Sequence, residues 1–143
     1  MHTEHLQNVR PMLVVVGWLI AVAVGSLVAL TLVSASTAPD GELGTGPIGA
    51  ILTVAVGFFA GGFFAGFRAL HAPILHGVAM GIASLVAWLI LNLVARGTSP
   101  EVAWEALTPT VAAVVLLAQM AFAVAGAWTG YRLALRGQPE PED

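Results

Sequence analysis

The chain has 143 residues, of which 58% are hydrophobic and only 9% are charged. Soluble domains carry about 25% charged residues, so this composition is typical of an integral membrane protein. The net charge is -3 at pH 7 and the sequence has no basic patch, which argues against a nucleic-acid partner. Cysteine is absent, so disulfides and thiolate metal sites are excluded.

Residues 1–11 form a polar leader, predicted to be cytoplasmic, and an uncharged apolar run over about 12–34 follows it. At about 1.5 Å per residue this run is longer than the ~30 Å of hydrocarbon in a bilayer. The alternative is a cleaved signal peptide, since small residues from Ser34 onward resemble a cleavage site. The run exceeds the roughly 7 to 15 apolar residues of a signal core, so we predict an uncleaved first span.

Two further spans are predicted over about 48–67 and 74–95, after a loop rich in Gly, Pro, Ser and Thr. Pro73 leaves a very short link between these two spans, because proline does not continue a helix. So short a link predicts that the second and third spans are antiparallel neighbours.

The end of the chain contains one more predicted span, over about 110–131, which stops at Arg132. Before it, Thr98 to Glu101 has the order of residues that starts a helix, which predicts an interfacial helix over about 100–107. Residues 136–143 form an acidic tail that we expect to be disordered. The predicted fold is therefore all-α and integral to the membrane, with a single four-helix transmembrane domain over 12–135.

Arginines indicate the orientation of the four spans. Arg10, Arg68, Arg132 and Arg136 fall on one side, and only Arg96 falls on the other. Because cytoplasmic loops carry the excess of basic residues, both termini are predicted to be cytoplasmic.

The ends of the second and fourth spans resemble each other. The segment from Gly62 to Arg68 and the segment from Gly126 to Arg132 share glycine, aromatic, small, glycine, aromatic and arginine positions in the same order, 64 residues apart. This match predicts two antiparallel hairpins related as a parallel internal repeat. The alternative is that glycine and aromatic residues are simply common near the ends of membrane helices.

Glycines at intervals of four provide surfaces on which membrane helices pack closely. The glycines predicted to serve in this way are Gly17, Gly25, Gly57, Gly61, Gly62, Gly66, Gly77, Gly81, Gly126 and Gly130. The pair Gly62 and Gly66 has two interpretations, namely packing inside the same bundle or contact with a second copy or another subunit.

The interiors of the predicted spans contain no ionisable residue, which argues against an ion-coupled transporter. Asn92 and Gln119 are their strongest polar groups. We expect both side chains to form interhelical hydrogen bonds; the alternative is that they line a pore.

Four histidines, His2, His5, His71 and His76, lie near the predicted cytoplasmic side, but their spacing fits no zinc motif. We therefore predict no metal and no cofactor. His76 is expected at the membrane interface, with its ring free to meet Arg68 or lipid.

Arg68 and Arg132 end two spans that run in the same direction, so they are expected at equal depth. They are candidates for binding the phosphate of an anionic lipid. The alternative is that each arginine only stops its span and extends to the interface.

The run Gly61-Gly62-Phe-Phe-Ala65-Gly66-Phe-Arg68-Ala69, followed by His76-Gly77 and Gly81, resembles a family of small four-span bacterial and archaeal membrane proteins of unknown function. In that family a Gly-Gly-x-x-Ala-Gly-x-x-Ala run precedes a His-Gly-x-x-x-Gly helix start. The resemblance covers about 25 residues around the second and third spans. It implies the four-span layout and carries no activity.

No set of residues typical of catalysis is present, so we predict that the protein is not an enzyme. The expected function is that of an accessory or scaffolding subunit, or of a homo-oligomer, acting through helix packing. The expected partners are membrane lipids and either further copies or a larger membrane complex, in a prokaryotic cytoplasmic (inner) membrane. The alternative is a minimal channel or uncoupled transporter built from a duplicated hairpin.

Overall fold

The protein is predominantly helical. The computed structural model describes residues 9–35, 46–70, 72–98 and 109–137. Within these ranges the chain forms four helices and no strand, with the bounds α1 (Pro11–Ala35), α2 (Pro47–Ala69), α3 (Pro73–Thr98) and α4 (Pro109–Arg136). The predicted all-α fold with four helices is therefore confirmed. All four helices are long and apolar enough to cross a bilayer, which indicates a multi-pass membrane protein.

Each of the four helices begins with a proline. Proline suits the first helical position because its missing N–H has no partner there and its φ is already helical. Gly46 precedes α2 with an extended backbone and serves as its N-cap. The predicted starts at 12, 48, 74 and 110 each lie one residue after the observed proline.

The short link between α2 and α3 contains two residues with left-handed backbones. Leu70 has a φ of 52° and Ala72 a φ of 47°. The left-handed conformation of Leu70 ends α2, and that of Ala72 is consistent with proline's exclusion of the right-handed helical region for the residue before it.

The fourth helix is longer than the sequence predicted. It continues to Arg136, five residues beyond the predicted end at 131. Arg132 therefore lies inside the last turns of α4 and does not stop the helix. Leu133 to Leu135 keep the segment apolar enough to continue.

The helices do not pack in the order in which they follow one another. α2 packs most extensively against α4 and α1, whereas α3 packs mainly against α4 and makes its smallest interface with α2. The second and third spans do contact each other, as predicted for antiparallel neighbours, but this contact is the smallest interface of α3 and not its main one. A short link holds two helix ends together but does not require their lengths to stay in contact.

The directions of the packed helices follow from their contacts. Gly17 of α1 meets Gly61 of α2, and Gly25 meets Thr53, so α1 and α2 run in opposite directions. Contacts of α3 with α4 likewise run in opposite order, from Gly77 against Val124 to Gly81 against Met120. α2 and α4 run in the same direction. The arrangement as two duplicated hairpins stays a prediction.

Small side chains form most of the bundle's centre. Ala65, Ala123 and Ala127 have no exposed surface, and Met80 is the one large apolar side chain as fully buried among the described residues. Large apolar residues such as Leu27 and Leu93 are exposed on the outside. In a bilayer these outer residues meet lipid tails, so the exposed apolar surface is what a membrane bundle requires.

Several predicted features lie outside the described residues. They are most of the leader, the loop after α1, His71, the interfacial helix over 100–107 and the acidic tail beyond residue 137.

Candidate functional site

The ten glycines predicted to serve in packing are all buried. The clearest example is Gly57, where an added Cβ would lie 2.5 Å from the carbonyl oxygen of Ala21. At Gly61 an added Cβ would meet the carbonyl oxygen of Gly17 on the same neighbouring helix. α1 and α2 therefore approach each other backbone to backbone, which only glycine permits at these positions.

Gly62 and Gly66 face α4 and not the outside of the bundle. An added Cβ would meet the backbone of Ala123 at Gly62 and that of Ala127 at Gly66. Of the two interpretations of this pair, the structure places the glycines inside the same chain. They present no free surface for a second copy.

One end of the bundle carries exposed arginines. Arg10 precedes α1, Arg68 lies in the last turn of α2, and Arg132 and Arg136 lie near the end of α4. α1 runs antiparallel to α2, and α4 runs parallel to α2. All four arginines therefore lie at the same end of the bundle, called here the arginine end. The guanidinium of Arg132 lies 4.1 Å from the ring centre of Trp128, in cation–π contact.

His76 lies just inside the arginine end and is fully buried. Its Nδ1 lies 2.9 Å from the carbonyl oxygen of Ala72, and the backbone N–H of Arg10 donates to its Nε2 over 3.2 Å. Nδ1 therefore carries the proton that bonds Ala72, and Nε2 is the acceptor. The expectation of an interfacial ring free to meet Arg68 or lipid is wrong, because the ring joins the start of α1 to the start of α3.

A cavity of about 230 Å³ lies between the helices on the side away from the arginine end. All four helices contribute to it, so it is a property of the whole bundle. Here it is called the central cavity, and its lining consists of Trp18, Val22, Phe58, Ser84, Ala87, Trp88, Leu91, Ala112, Val115, Leu116 and Gln119.

The polar side chains of the central cavity are partly paired. Trp18 Nε1 donates to the hydroxyl oxygen of Ser84 over 3.0 Å, which joins α1 to α3. Trp88 Nε1 and Gln119 Oε1 are buried and have no hydrogen-bond partner in the described part of the protein. The cavity wall therefore includes a residue with an unused donor and a residue with an unused acceptor. None of the described residues that line the cavity is ionisable.

The two predicted interhelical hydrogen bonds are not formed as expected. Asn92 Nδ2 donates to the carbonyl oxygen of Trp88 over 2.8 Å, a bond within α3. The prediction for Asn92 is therefore wrong, because its amide reaches the carbonyl one turn back on its own helix. For Gln119, the side-chain oxygen lacks a partner and the residue lines the cavity.

A second, smaller cavity of about 150 Å³ lies between α2 and α4. Its lining is wholly apolar and includes Val54, Ala118 and Phe122. Val115 lines both cavities. The second cavity therefore offers a nearby apolar comparison for the central one.

Sequence reasoning identified Gln119 but missed the other polar residues of the central cavity. Ser84 and Trp88 are four residues apart and so share one face of α3, a signal available in the sequence. Trp18 gave no comparable signal, since its partner Ser84 lies 66 residues away on another helix. Among the described residues, no cluster of three or more His, Cys, Asp or Glu side chains lies close enough to hold a metal ion.

Comparison with protein-family models, curated proteins and solved structures finds no match to this chain. The resemblance to small four-span membrane proteins therefore stays a prediction, and the function is argued from the geometry alone.

Proposed function

We propose that this protein is an accessory or scaffolding subunit of a larger membrane assembly. It acts through binding at its outer helix faces and not through catalysis. The observation that supports this most is that every predicted packing glycine contacts another helix of the same chain.

The internal use of these glycines favours an accessory subunit over a homo-oligomer. Close glycine contacts supply much of the attraction between membrane helices, where lipid tails compete for apolar contact. In this chain the α1–α2, α2–α4 and α3–α4 contacts use those surfaces up. A single copy thus forms its own four-helix unit, and its outer aliphatic faces are left for lipid and for a partner.

The membrane and orientation belong to the same proposal. Exposed Arg10, Arg68, Arg132 and Arg136 lie at the end of the bundle from which both termini extend. By the positive-inside rule we infer that both termini are cytoplasmic. The proposed membrane is the inner membrane of a prokaryotic cell.

Site-specific photocrosslinking tests the accessory role. A crosslinking residue is placed at exposed outer positions, Leu27 on α1, Leu93 on α3 and Val114 on α4, and, as the control, at Ala112, which is buried and lines the central cavity. The proposal predicts a discrete crosslinked product with one other membrane protein from some outer positions and none from Ala112. The partner should also co-purify with a single copy of the chain in mild detergent, as measured by native mass spectrometry.

Two results would contradict the accessory role. Crosslinks only between copies of this chain, together with a defined oligomeric mass, would indicate a homo-oligomer. A lone monomer without any protein crosslink at the outer positions would remove the reason to invoke a partner.

The central cavity favours a second candidate, a minimal channel or uncoupled transporter. The cavity is separated from the arginine end by the layer in which Gly17, Gly61 and the buried Met80 meet. A conduit would have to open this layer, so the candidate has less support. Solute flux in proteoliposomes that is blocked by a bulky residue at Ala112 of the lining would favour it.

A further inference from the structure

The central cavity combines an apolar wall with hydrogen-bonding groups that the protein itself leaves unused. Trp88 has a buried N–H and Gln119 has a buried carbonyl oxygen, and neither finds a partner among the described residues. In low-dielectric surroundings an unpaired polar group carries the full cost of its desolvation. Unpaired buried polar groups require an explanation, and because both residues line the cavity, a ligand or water held there could supply the missing partner.

We propose that the central cavity binds a small uncharged amphiphile with a compact apolar body and one group that both accepts and donates hydrogen bonds, such as a primary amide. Its acceptor would take the N–H of Trp88, and its donor would bond the side-chain oxygen of Gln119. Both residues line the cavity, but their unpaired polar atoms are buried, so each side chain must rotate to present its polar atom to the ligand.

Charge and volume narrow the class of ligand. Among the described residues no ionisable side chain lines the cavity, so a charged ligand would be desolvated there without a counter-charge from them. An apolar cavity of about 150 Å³ holds benzene. The central cavity has a volume of about 230 Å³, which leaves room for one ring and a polar group of a few atoms.

The cavity is accessible to a ligand dissolved in the membrane. Its lining extends from Ser84, Phe58 and Ala112, which are buried, to Leu91, which is 68% exposed. The cavity therefore reaches the outside of the bundle on the side away from the arginine end. A membrane-soluble molecule enters there without crossing the tightly packed glycine layer.

This inference is independent of the accessory role. Ligand binding occurs inside one copy of the chain, whereas the accessory role concerns its outer faces. A failure of ligand binding would leave the crosslinking test unaffected, and the reverse also holds.

Equilibrium binding of benzamide to the full chain in lipid nanodiscs tests the inference. Empty nanodiscs of the same composition measure partitioning into lipid, which is subtracted. We expect saturable binding of one benzamide per chain. Toluene, which has the ring but no hydrogen-bonding group, and benzoate, which is charged, should each bind more weakly by about fivefold or more.

Two substitutions remove the proposed hydrogen bonds. Gln119→Leu removes the acceptor and Trp88→Phe removes the donor, and each should weaken benzamide binding by about fivefold or more. Asn92→Leu is the matched control, because Asn92 does not line the cavity and its amide bonds its own helix. It should bind benzamide as the wild type does.

Two cavity-filling substitutions on the same helix locate the ligand. Ala112→Phe fills the central cavity and should abolish saturable benzamide binding, whereas Ala118→Phe fills the second, apolar cavity and should leave it unchanged. Retained thermal stability of each variant shows that lost binding is not lost folding. If either Gln119→Leu or Trp88→Phe prevents folding, the other of these two variants still tests the hydrogen bonds. Ala112→Phe and Ala118→Phe then still test the location of the ligand.

Three results would overturn the inference. The first is the absence of saturable benzamide binding to the wild type. The second is binding that is unaffected by Gln119→Leu and Trp88→Phe. The third is toluene binding in the central cavity as tightly as benzamide, which would indicate an apolar void filled by lipid tails.

Discussion

Gly62 packs against the backbone carbonyl of Ala123, and Gly126 packs against the backbone carbonyl of Phe59. Gly126 lies 64 residues after Gly62, and Ala123 lies 64 residues after Phe59. The second contact therefore joins the same pair of positions as the first, with the two helices exchanged. α2 and α4 therefore meet through a reciprocal interface, as two copies of one helix would.

The next turn repeats the relationship. Gly66 meets the carbonyl of Ala127, and Gly130 meets the carbonyl of Phe63, again with a displacement of 64 residues. The same displacement separates the two similar sequence segments. This reciprocity supports the proposal that α2 and α4 arose by duplication.

The outer helices depart from this symmetry. Gly17 of α1 packs against Gly61, but Gly81, which lies 64 residues after Gly17, packs against Met120. The counterpart of Gly61 would be Ala125, which is exposed. The α3–α4 pair therefore has a different register from the α1–α2 pair. The difference is more than one helical turn. The support for duplication comes from α2 and α4 alone.

A methyl group at the reciprocal interface should destabilise the bundle. In Gly66→Ala the new Cβ would lie 2.5 Å from the carbonyl carbon and 2.6 Å from the Cα of Ala127, so the two backbones must move apart. Overpacking of this kind typically costs about 1–3 kcal/mol, and rigid backbone neighbours place Gly66→Ala at the upper end. Thermal unfolding in detergent measures the loss.

Gly97→Ala is the matched control. Gly97 is also helical, and apart from its chain neighbours and its own helix backbone no atom of the described residues lies within 4 Å of an added Cβ. Since alanine is favoured over glycine in a helix by up to about 1 kcal/mol, this variant should be as stable as the wild type or more so. Equal losses for the two variants would contradict the close approach of α2 and α4.

The hydrogen bond between Trp18 and Ser84 should contribute to the stability of the α1–α3 contact. Ser84→Ala removes the acceptor and leaves the buried indole N–H without a partner, at a cost of about 1–3 kcal/mol. A double-mutant cycle with Trp18→Phe, measured by thermal unfolding, isolates the pairwise contribution. Thr31→Ala is the control, because the exposed hydroxyl of Thr31 donates to the carbonyl of Leu27 within the same helix.

Additive losses in the double-mutant cycle would mean that Trp18 and Ser84 are not coupled. A loss in Thr31→Ala as large as that in Ser84→Ala would show that hydroxyl removal itself, and not the contact between helices, destabilises the protein.

The helices themselves were predictable from local signals. Uncharged apolar runs determine which segments can span, and a proline at the start of each run determines where the helix begins. Arg132 misled the prediction of where α4 ends, since an arginine near the interface is compatible with further helical turns.

The contacts between helices were only partly predictable. Glycine spacing identified surfaces for close approach, but it does not specify which helix occupies each surface. The short link suggested that α2 would pair with α3, whereas α2 has its largest interface with α4. His76 accepts from Arg10 and Ser84 from Trp18, each across 66 residues, and such pairs depend on a register that no local pattern encodes.

His76 should be important for joining α1 to α3. His76→Leu leaves the backbone N–H of Arg10 without its acceptor, which should cost about 1–3 kcal/mol. The carbonyl of Ala72 loses the ring but keeps the backbone N–H of residue 76, which donates to it over 3.3 Å. Thermal unfolding in detergent measures the loss. Arg10→Gln is the control, because it keeps the backbone N–H that donates to the ring.

The two variants, His76→Leu and Arg10→Gln, distinguish the hydrogen bond to the Arg10 backbone from an effect of the Arg10 charge. Stability should fall in His76→Leu and stay near wild type in Arg10→Gln. The opposite pattern would mean that the arginine side chain, and not the buried ring, holds this end of the bundle.

Arg68 and Arg132 lie at one end of two parallel helices, where lipid headgroups are expected. The parallel packing of α2 and α4 places both residues at the arginine end at equal depth, and both are exposed. Trp128 lies under the Arg132 guanidinium and helps to hold it near the interface. We therefore expect these two guanidinium groups to bind the phosphate of an anionic lipid.

The double variant Arg68→Gln with Arg132→Gln should lose anionic lipid that co-purifies with the wild type, as measured by native mass spectrometry of the detergent-solubilised protein. Polybasic contacts contribute about 1 kcal/mol per residue near an anionic surface, so a loss of roughly tenfold or more in retained lipid is expected. Arg96→Gln, which alters the arginine near the opposite end of α3, is the matched control and should retain the lipid. Unchanged lipid content in the double variant would mean that the two arginines only extend to the interface, because a bound phosphate cannot lose both of its counter-charges without a fall in affinity.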